Sequence, residues 1–136
     1  MGNAARFNSP YSIVIDSSGN LYVADAFKNA IRKISSTGNV STIAGSAGVI
    51  GSTDGVGSAA RFNSPYAIVF DSSGNLYIAD SNNHIIRKMT SSGNVTTIAG
   101  STGTAGSSDE IGIAARFNKP MGMVIDSLGN FYITIV

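Results

Sequence analysis

One opening recurs three times along the chain. AARFNSPYSIVIDSSGNLYVAD starts at Ala4, AARFNSPYAIVFDSSGNLYIAD at Ala59 and AARFNKPMGMVIDSLGNFYIT at Ala114, a spacing of 55 residues each time. The first two copies differ over this opening only at Ser12/Ala67, Ile15/Phe70 and Val23/Ile78. Self-similarity at a fixed period of this length is the signature of stacked structural units. The 136 residues hold two complete units and part of a third, about 2.5 in all.

Within a unit the residues read as strand, turn, strand. In the second copy YAIVFD is a short apolar run of β-branched and aromatic residues, SSGN a tight turn and LYIAD the next strand. SNNH is a further turn, IIRKMT a third strand, SSGN a third turn and VTTIAG a fourth strand. Gly74 and Asn75 are expected to supply positive φ in the first of these turns. Strands this short, joined by turns this short, are antiparallel neighbours. No segment holds a 3.6-residue apolar period long enough to argue for a helix.

The first strand of each unit is apolar almost throughout: Ile13-Val14-Ile15, Ile68-Val69-Phe70 and Met123-Val124-Ile125. A strand without polar alternation has both faces covered. A sandwich would leave one face wet and alternate cleanly, and a parallel β-helix would need shorter coils. A four-stranded meander covered on each side by its neighbours is a propeller blade. The expected fold is therefore all-β. Blade 1 spans about residues 4–45, blade 2 about 59–100, and a partial two-strand blade 3 about 114–136, giving ten strands in a single propeller segment.

The run P-x-x-I-V-x-D-S-S-G-N-L-Y-I-A-D-S-N-N-H-I-I-R-K resembles the NHL repeat of β-propellers. The family is named for an Asn-His-Leu run, and Asn83-His84-Ile85 stand at that place. Copy one has Lys28-Asn29-Ala30 there, and copy three lacks the triplet. The resemblance covers essentially the whole chain. It implies that the first strand of each unit lines a central channel, that the fourth is outermost, and that about six blades close a ring. It also implies a binding or scaffold role; a minority of the family are lyases and a few bind RNA.

Several residues invite a functional reading. Arg6, Arg61 and Arg116 precede the first strand of each unit, next to Asn8, Asn63 and Asn118. They form a ligand-binding candidate set, a ring of guanidinium groups suited to a carboxylate or phosphate. The alternative is structural: ties between blades through Asp54 or Asp109. Asp25 with Arg32, and Asp80 with Arg87, flank the same turn and are expected to pair across it, with the aspartate also accepting backbone N–H groups of the turn. The five tyrosines, Tyr11, Tyr22, Tyr66, Tyr77 and Tyr132, are expected to pack between blades.

Other chemistries find little support. Asp54 with Gly55 and Gly57 lacks the Asp-x-Asp ladder of a calcium loop. The Gly-rich loops precede no helix that could cradle phosphate. There is no cysteine, and His84 is the only histidine, so no zinc set exists within one chain. A Ser-His-Asp triad around His84 falls on a turn copied from a structural motif. Lys28, Lys33, Lys88 and Lys119 are scattered, and the net charge is +1, which gives no nucleic-acid or membrane partner on charge. Arg6 stands where a myristoylation signal needs Ser or Thr. No cofactor is expected. Charged residues make up only 12% of the chain, and abundant Gly, Ser, Thr and Asn lean toward an extracytoplasmic setting.

Ile135 occupies the place of Asp25 and Asp80, and no third strand follows it. About half a ring leaves an apolar blade face bare at each end. At about 25 cal/mol per Å2, several hundred Å2 of such surface forgoes on the order of 10 kcal/mol. The expectation is a homodimer that closes a six-position ring and serves as a non-catalytic module for binding a protein or small molecule. The alternatives are a lyase or hydrolase with its site in the assembled channel, and a piece of a longer single-chain propeller.

Overall fold

The structure is a computed structural model that describes residues 2–136. It is built from antiparallel meanders. Strands β1 (Pro10–Ile15), β2 (Leu21–Asp25), β3 (Ala30–Ile34) and β4 (Val40–Gly45) form the first sheet in sequence order. A short strand β5 (Gly55–Val56) follows. It is absent from the ten-strand expectation, which makes eleven strands among the described residues. The second sheet is β6 (Pro65–Phe70), β7 (Leu76–Asp80), β8 (Ile85–Met89) and β9 (Asn94–Gly100), with β5 added outside β9. β10 (Gly122–Ile125) and β11 (Phe131–Thr134) pair as a two-stranded third sheet.

The blades stack through their first strands, β1 against β6 and β6 against β10. Strand β7 shows why LYIAD carries no alternation. Leu76 and Ile78 point into the core shared with the first blade, whereas Tyr77 and Ala79 point into the core shared with the third. The chain crosses between blades through the long loop after β4, which pairs Gly55 with Val95 and Val56 with Asn94 on the far edge of the second sheet. That loop is thus a strap from one blade to the outer strand of the next.

The β1–β2, β6–β7 and β10–β11 turns are each closed by the aspartate that precedes the SSGN or SLGN run. Asp71 organises five residues: its N–H donates to the Asn75 carbonyl at 2.9 Å, closing the loop. Its Oδ1 accepts from the Ser73 and Asn75 N–H groups, and its Oδ2 from the Asn75 amide and the Tyr77 hydroxyl. Asp16 and Asp126 repeat this set with Tyr22 and Tyr132. Gly74 has φ +84°, but Asn75 has no positive φ, so only one of the two expected left-handed positions exists. The carboxylate has taken over the work of the second.

Four of the five tyrosine rings meet aromatic neighbours across the blades, whereas Tyr132 is exposed and, among the described residues, meets none. Tyr11 lies 4.3 Å from Tyr66 between ring centroids, Tyr22 lies 5.0 Å edge-on from Phe70, and Tyr77 lies 4.5 Å from Phe131.

Candidate functional site

The candidate residues gather where each blade's first strand begins and its β2–β3 or β7–β8 turn ends. Sequence places an arginine, a phenylalanine and an asparagine just before β1, β6 and β10. The three arginines do not form an open ring. Arg6 Nη1 donates to the carbonyls of Asn3 and Ala5. Arg61 Nη1 donates to Ser58 and Ala60, and Arg116 Nη1 to Ile113, Ala114 and Ala115. Each guanidinium folds back over the single 3-10 turn that precedes it and satisfies that turn's free carbonyls.

The structural alternative for these arginines is answered by a different residue. Asp54 is held by Arg87, not Arg61: Arg87 Nη2 reaches Asp54 Oδ1 at 2.9 Å, and the Thr97 hydroxyl donates to the same oxygen. Arg87 Nη2 also donates to the Thr53 carbonyl at 3.0 Å. Its Nη1 donates to Asp80 Oδ2 at 2.9 Å and to the Arg61 carbonyl at 2.8 Å. The guanidinium lies 5.1 Å from the centre of the Phe62 ring, within cation–π range. Arg32 repeats the inner half of this in the first blade, with Asp25 Oδ2 at 3.0 Å, the Arg6 carbonyl at 2.9 Å and the Phe7 ring at 4.9 Å.

These pairs are diagonal rather than directly opposite, since Arg87 stands across from Ile78 and Asp80 across from Ile85. The aspartates do not accept from backbone N–H groups of their own turn, although Asp80 Oδ2 accepts the Asn83 side-chain amide there at 2.8 Å. Asp25 Oδ1 accepts from the Asn8 N–H and Asp80 Oδ1 from the Asn63 N–H, each at 2.8 Å. The backbones of Asn8 and Asn63 are therefore pinned from below. Asn118 has no aspartate beneath it and instead contacts Val136, through its side-chain amide and its carbonyl. Burial pushes the Asp80 carboxyl up to about 6, opposed by the Asn63, Asn83 and Arg87 donors.

His84 has a structural task in this frame. It sits in the left-handed region at φ +61°, as Asn29 does at +56°. Asn29 Oδ1 accepts the Ser64 N–H at 2.8 Å, and His84 Nδ1 accepts the Lys119 N–H at 3.1 Å. Each is a clasp from the β3 or β8 turn of one blade to the start of the next. Sequence reasoning missed it. The signal was present as Asn29 and His84 at equal places in two turns, but their acceptors become useful only once the blades are side by side. Among the described residues no group of three or more His, Cys, Asp or Glu could hold a metal ion.

Of two clefts, one lies away from this frame and one beside it. One of about 580 Å3 opens between the first two blades near Asp16, Tyr22, Lys33, Phe70 and Asp71. Another of about 550 Å3 opens on the third blade and is lined by Ser108, Asp109, Glu110, Phe117, Ile133 and Ile135.

The NHL repeat family model matches residues 62–89, the stretch that holds Phe62, Asp80, His84 and Arg87. The bovine NHL repeat-containing protein 2 is 34% identical over 140 aligned residues, covering 92% of this chain and 19% of that protein. A solved protein from Bacteroides thetaiotaomicron superposes with a TM-score of 0.87 at 29% identity, over 93% of this chain and 32% of its own. An auxiliary nutrient binding protein from the same organism gives 0.77 at 29% identity, over 89% of this chain and 33% of its own. The chain thus spans about a fifth of the bovine relative and about a third of the two solved chains.

Proposed function

The chain belongs to the NHL-repeat family, and on that premise we propose that it is a non-catalytic module for binding or scaffolding within a propeller ring that a second copy completes. The observation that carries the reading is a contrast between equivalent residues. Ile68 is 2% exposed, whereas its copy Ile13 on the first blade is 58% exposed. Tyr77 is 9% exposed, whereas its copy Tyr132 on the third blade is 59% exposed. The flanks are blade faces without the neighbour that covers the same residues in the middle. The open face of the third blade repeats the face that the second blade presents to the third. The open face of the first repeats the face that the second presents to the first. One copy's trailing face therefore fits another's leading face, and two such contacts about a two-fold axis close six positions.

The non-catalytic part rests on how the polar groups are used. Asp80, Arg87, Asp54, Arg61 and His84 all have acceptors or donors within the blade frame. A catalytic group needs a free reactive atom aimed at a substrate. A ligand would lie on the long-loop side or at the channel mouth.

A second reading has its own support: the chain spans only 19% of its bovine relative and about a third of the solved chains. Here the covering blades belong to a longer polypeptide. Light scattering on the purified 136-residue protein separates the two. A dimer of constant mass on dilution supports the first. A compact monomer overturns the covering argument itself, and an aggregated or unfolded chain overturns the dimer in favour of the longer polypeptide.

A further inference from the structure

We propose that Asn39 and Asn94 are acceptor sites for an N-linked oligosaccharide, one on the outer rim of each complete blade. Five turns of the chain end in the same Gly-Asn pair, at Asn20, Asn39, Asn75, Asn94 and Asn130. All five close alike, with the N–H of the turn's first residue donating to the asparagine carbonyl. They differ in what that first residue is. Where it is Asp16, Asp71 or Asp126, a carboxylate oxygen holds the asparagine side-chain amide at 2.9 or 3.0 Å. Where it is Ser35 or Thr90, a hydroxyl takes the carboxylate's place and accepts the asparagine backbone N–H, at 3.1 Å for Asn39 and 3.2 Å for Asn94. The side-chain amides of Asn39 and Asn94 are left without a partner among the described residues, and both residues are exposed.

The same two asparagines have a hydroxyl two residues on, in Asn39-Val40-Ser41 and Asn94-Val95-Thr96. After the other three that place holds Tyr22, Tyr77 or Tyr132, and no further asparagine of the chain has Ser or Thr there. Asn-x-Ser/Thr, with x other than proline, is the pattern that oligosaccharide transfer to asparagine requires. Side chains alternate along a strand, so the amide and the hydroxyl share one face. Asn94 and Thr96 are exposed, and Val95 between them is buried. This exposure does not come from an absent neighbour. The first blade has the complete second blade beside it, and Asn39 and Ser41 are exposed. The second blade has the strap strand β5 paired along Asn94 and Val95, and Asn94 and Thr96 are exposed. Each site has the neighbour that the other lacks, and neither neighbour covers the amide.

In the transfer the asparagine Nδ2 forms a bond to the anomeric carbon of the first sugar. The bond from that carbon to a polyprenyl diphosphate breaks, the diphosphate leaves with the electron pair, and the amide gives up one proton. The donor is a lipid-linked oligosaccharide, and the acceptor pattern belongs to exported chains. The low charge and the abundance of Ser, Thr and Asn lean toward the same extracytoplasmic setting. Successive turns of an antiparallel meander lie at alternate ends. The β3–β4 and β8–β9 turns therefore lie at the end opposite the long loops, and a glycan there leaves the long-loop side free.

The test is intact-mass and glycopeptide analysis of the protein recovered from the cells that encode it, beside Ser41→Ala and Thr96→Ala variants made in the same cells. Two oligosaccharides are expected, on Asn39 and Asn94 and on no other asparagine. Each variant should lose the sugar chain of its own turn and keep the other, although its asparagine is intact. A peptide N-glycosidase should strip the folded protein without denaturant, because both sites are exposed. The mass of the bare polypeptide, sugar on other asparagines, or sugar retained on the altered turn of either variant would overturn the proposal. So would glycans that the enzyme reaches only after unfolding. The sites lie at the rim, whereas ring closure uses the blade faces. An unmodified protein therefore leaves the oligomer reading standing, and a monomeric one leaves the glycan sites standing.

Discussion

The guanidinium of Arg87 and the carboxylate of Asp80 meet at 2.9 Å with neither side chain exposed to solvent. The equivalent pair in the first blade, Arg32 and Asp25, meets at 3.0 Å with the arginine 13% exposed. The difference follows from the strap. Thr53 and Asp54 cover Arg87, and Arg32 has no such cover among the described residues.

Removing the acid should therefore cost more in the middle blade. Asp80→Ala leaves a buried guanidinium with Asp54 as its one remaining carboxylate and frees the Asn63 N–H, a loss of about 3 kcal/mol. Asp25→Ala leaves a guanidinium that water can reach, and the cost should be about half as large. Urea unfolding of the two variants beside the parent protein checks the order. Equal losses would mean that the strap does not seal Arg87.

Asp80 also sets a pH dependence of unusual sign. Burial raises its carboxyl from 3.8 to about 6, while the Asn63 N–H, the Asn83 amide and Arg87 pull the other way. A carboxyl raised in the folded state favours folding fully below its unfolded value, and that contribution is lost as pH climbs through about 6. The loss is on the order of 3 kcal/mol. Asp16 and Asp126 act oppositely. Hydrogen bonds, led by the Asn20 and Asn130 side chains, lower them, so their contribution is lost in acid. Comparison with Asp80→Asn isolates the buried group. The parent's advantage over that variant should shrink between pH 4 and pH 7 in denaturant titrations, and an advantage that grows would contradict the assignment.

Much of this frame was legible in the chain. The repeat, the strand runs and the fact that Asp and Arg pair, though not their diagonal placement, depend on spacing within one unit, and spacing is what a sequence displays. The Asp71 loop was half legible: SSGN marks a turn, but the carboxylate that reaches Asn75 and Tyr77 in three dimensions, where a second positive φ was expected, has no mark in the spacing. The clasps of Asn29 and His84, the strand at Gly55–Val56 and the Asp54–Arg87 contact were not legible. Each joins groups from different blades or from the strap between them, and a separation of 33 positions between Asp54 and Arg87 carries no periodic sign of their meeting. The direction of Arg6, Arg61 and Arg116 was hidden for another reason, since a backbone carbonyl has no letter in the sequence.

Two glycines with nearly the same φ should respond very differently to alanine. Gly74 has φ +84° in the Asp71 loop, and an added Cβ there meets nothing within 4 Å. Gly45 has φ +82° at the end of β4, and a Cβ there would stand 2.7 Å from the Asn29 carbonyl oxygen and 3.0 Å from Phe62. Gly74→Ala should cost only the left-handed penalty, about 1–2 kcal/mol. Gly45→Ala adds a clash with backbone at the Asn29 clasp and should cost at least about 2 kcal/mol more. Thermal unfolding of both proteins tests it, and comparable melting temperatures would show that the blade junction yields more readily than its packing implies.

The bare flanks lead to a prediction about assembly that a substitution can isolate. Ile13 on the first blade and Val124 on the third are 58% and 60% exposed, and they lie on opposite ends of the stack. In a closed dimer each becomes covered, as Ile68 is covered in the middle of the chain. Placing a carboxylate on such a face costs little in the separate molecule, because water still reaches it. In the joined ring the same carboxylate is desolvated without a partner, a penalty of several kcal/mol at each of two symmetric contacts. Ile13→Asp and Val124→Asp should therefore each lose the dimer, and the far-ultraviolet circular dichroism of the β-sheets should fall with it, because the separated faces go uncovered. Both effects should appear, since each contact joins one face of each kind. If only one substitution changes the mass, the two faces do not meet each other. If neither does, the ring is not closed through these faces.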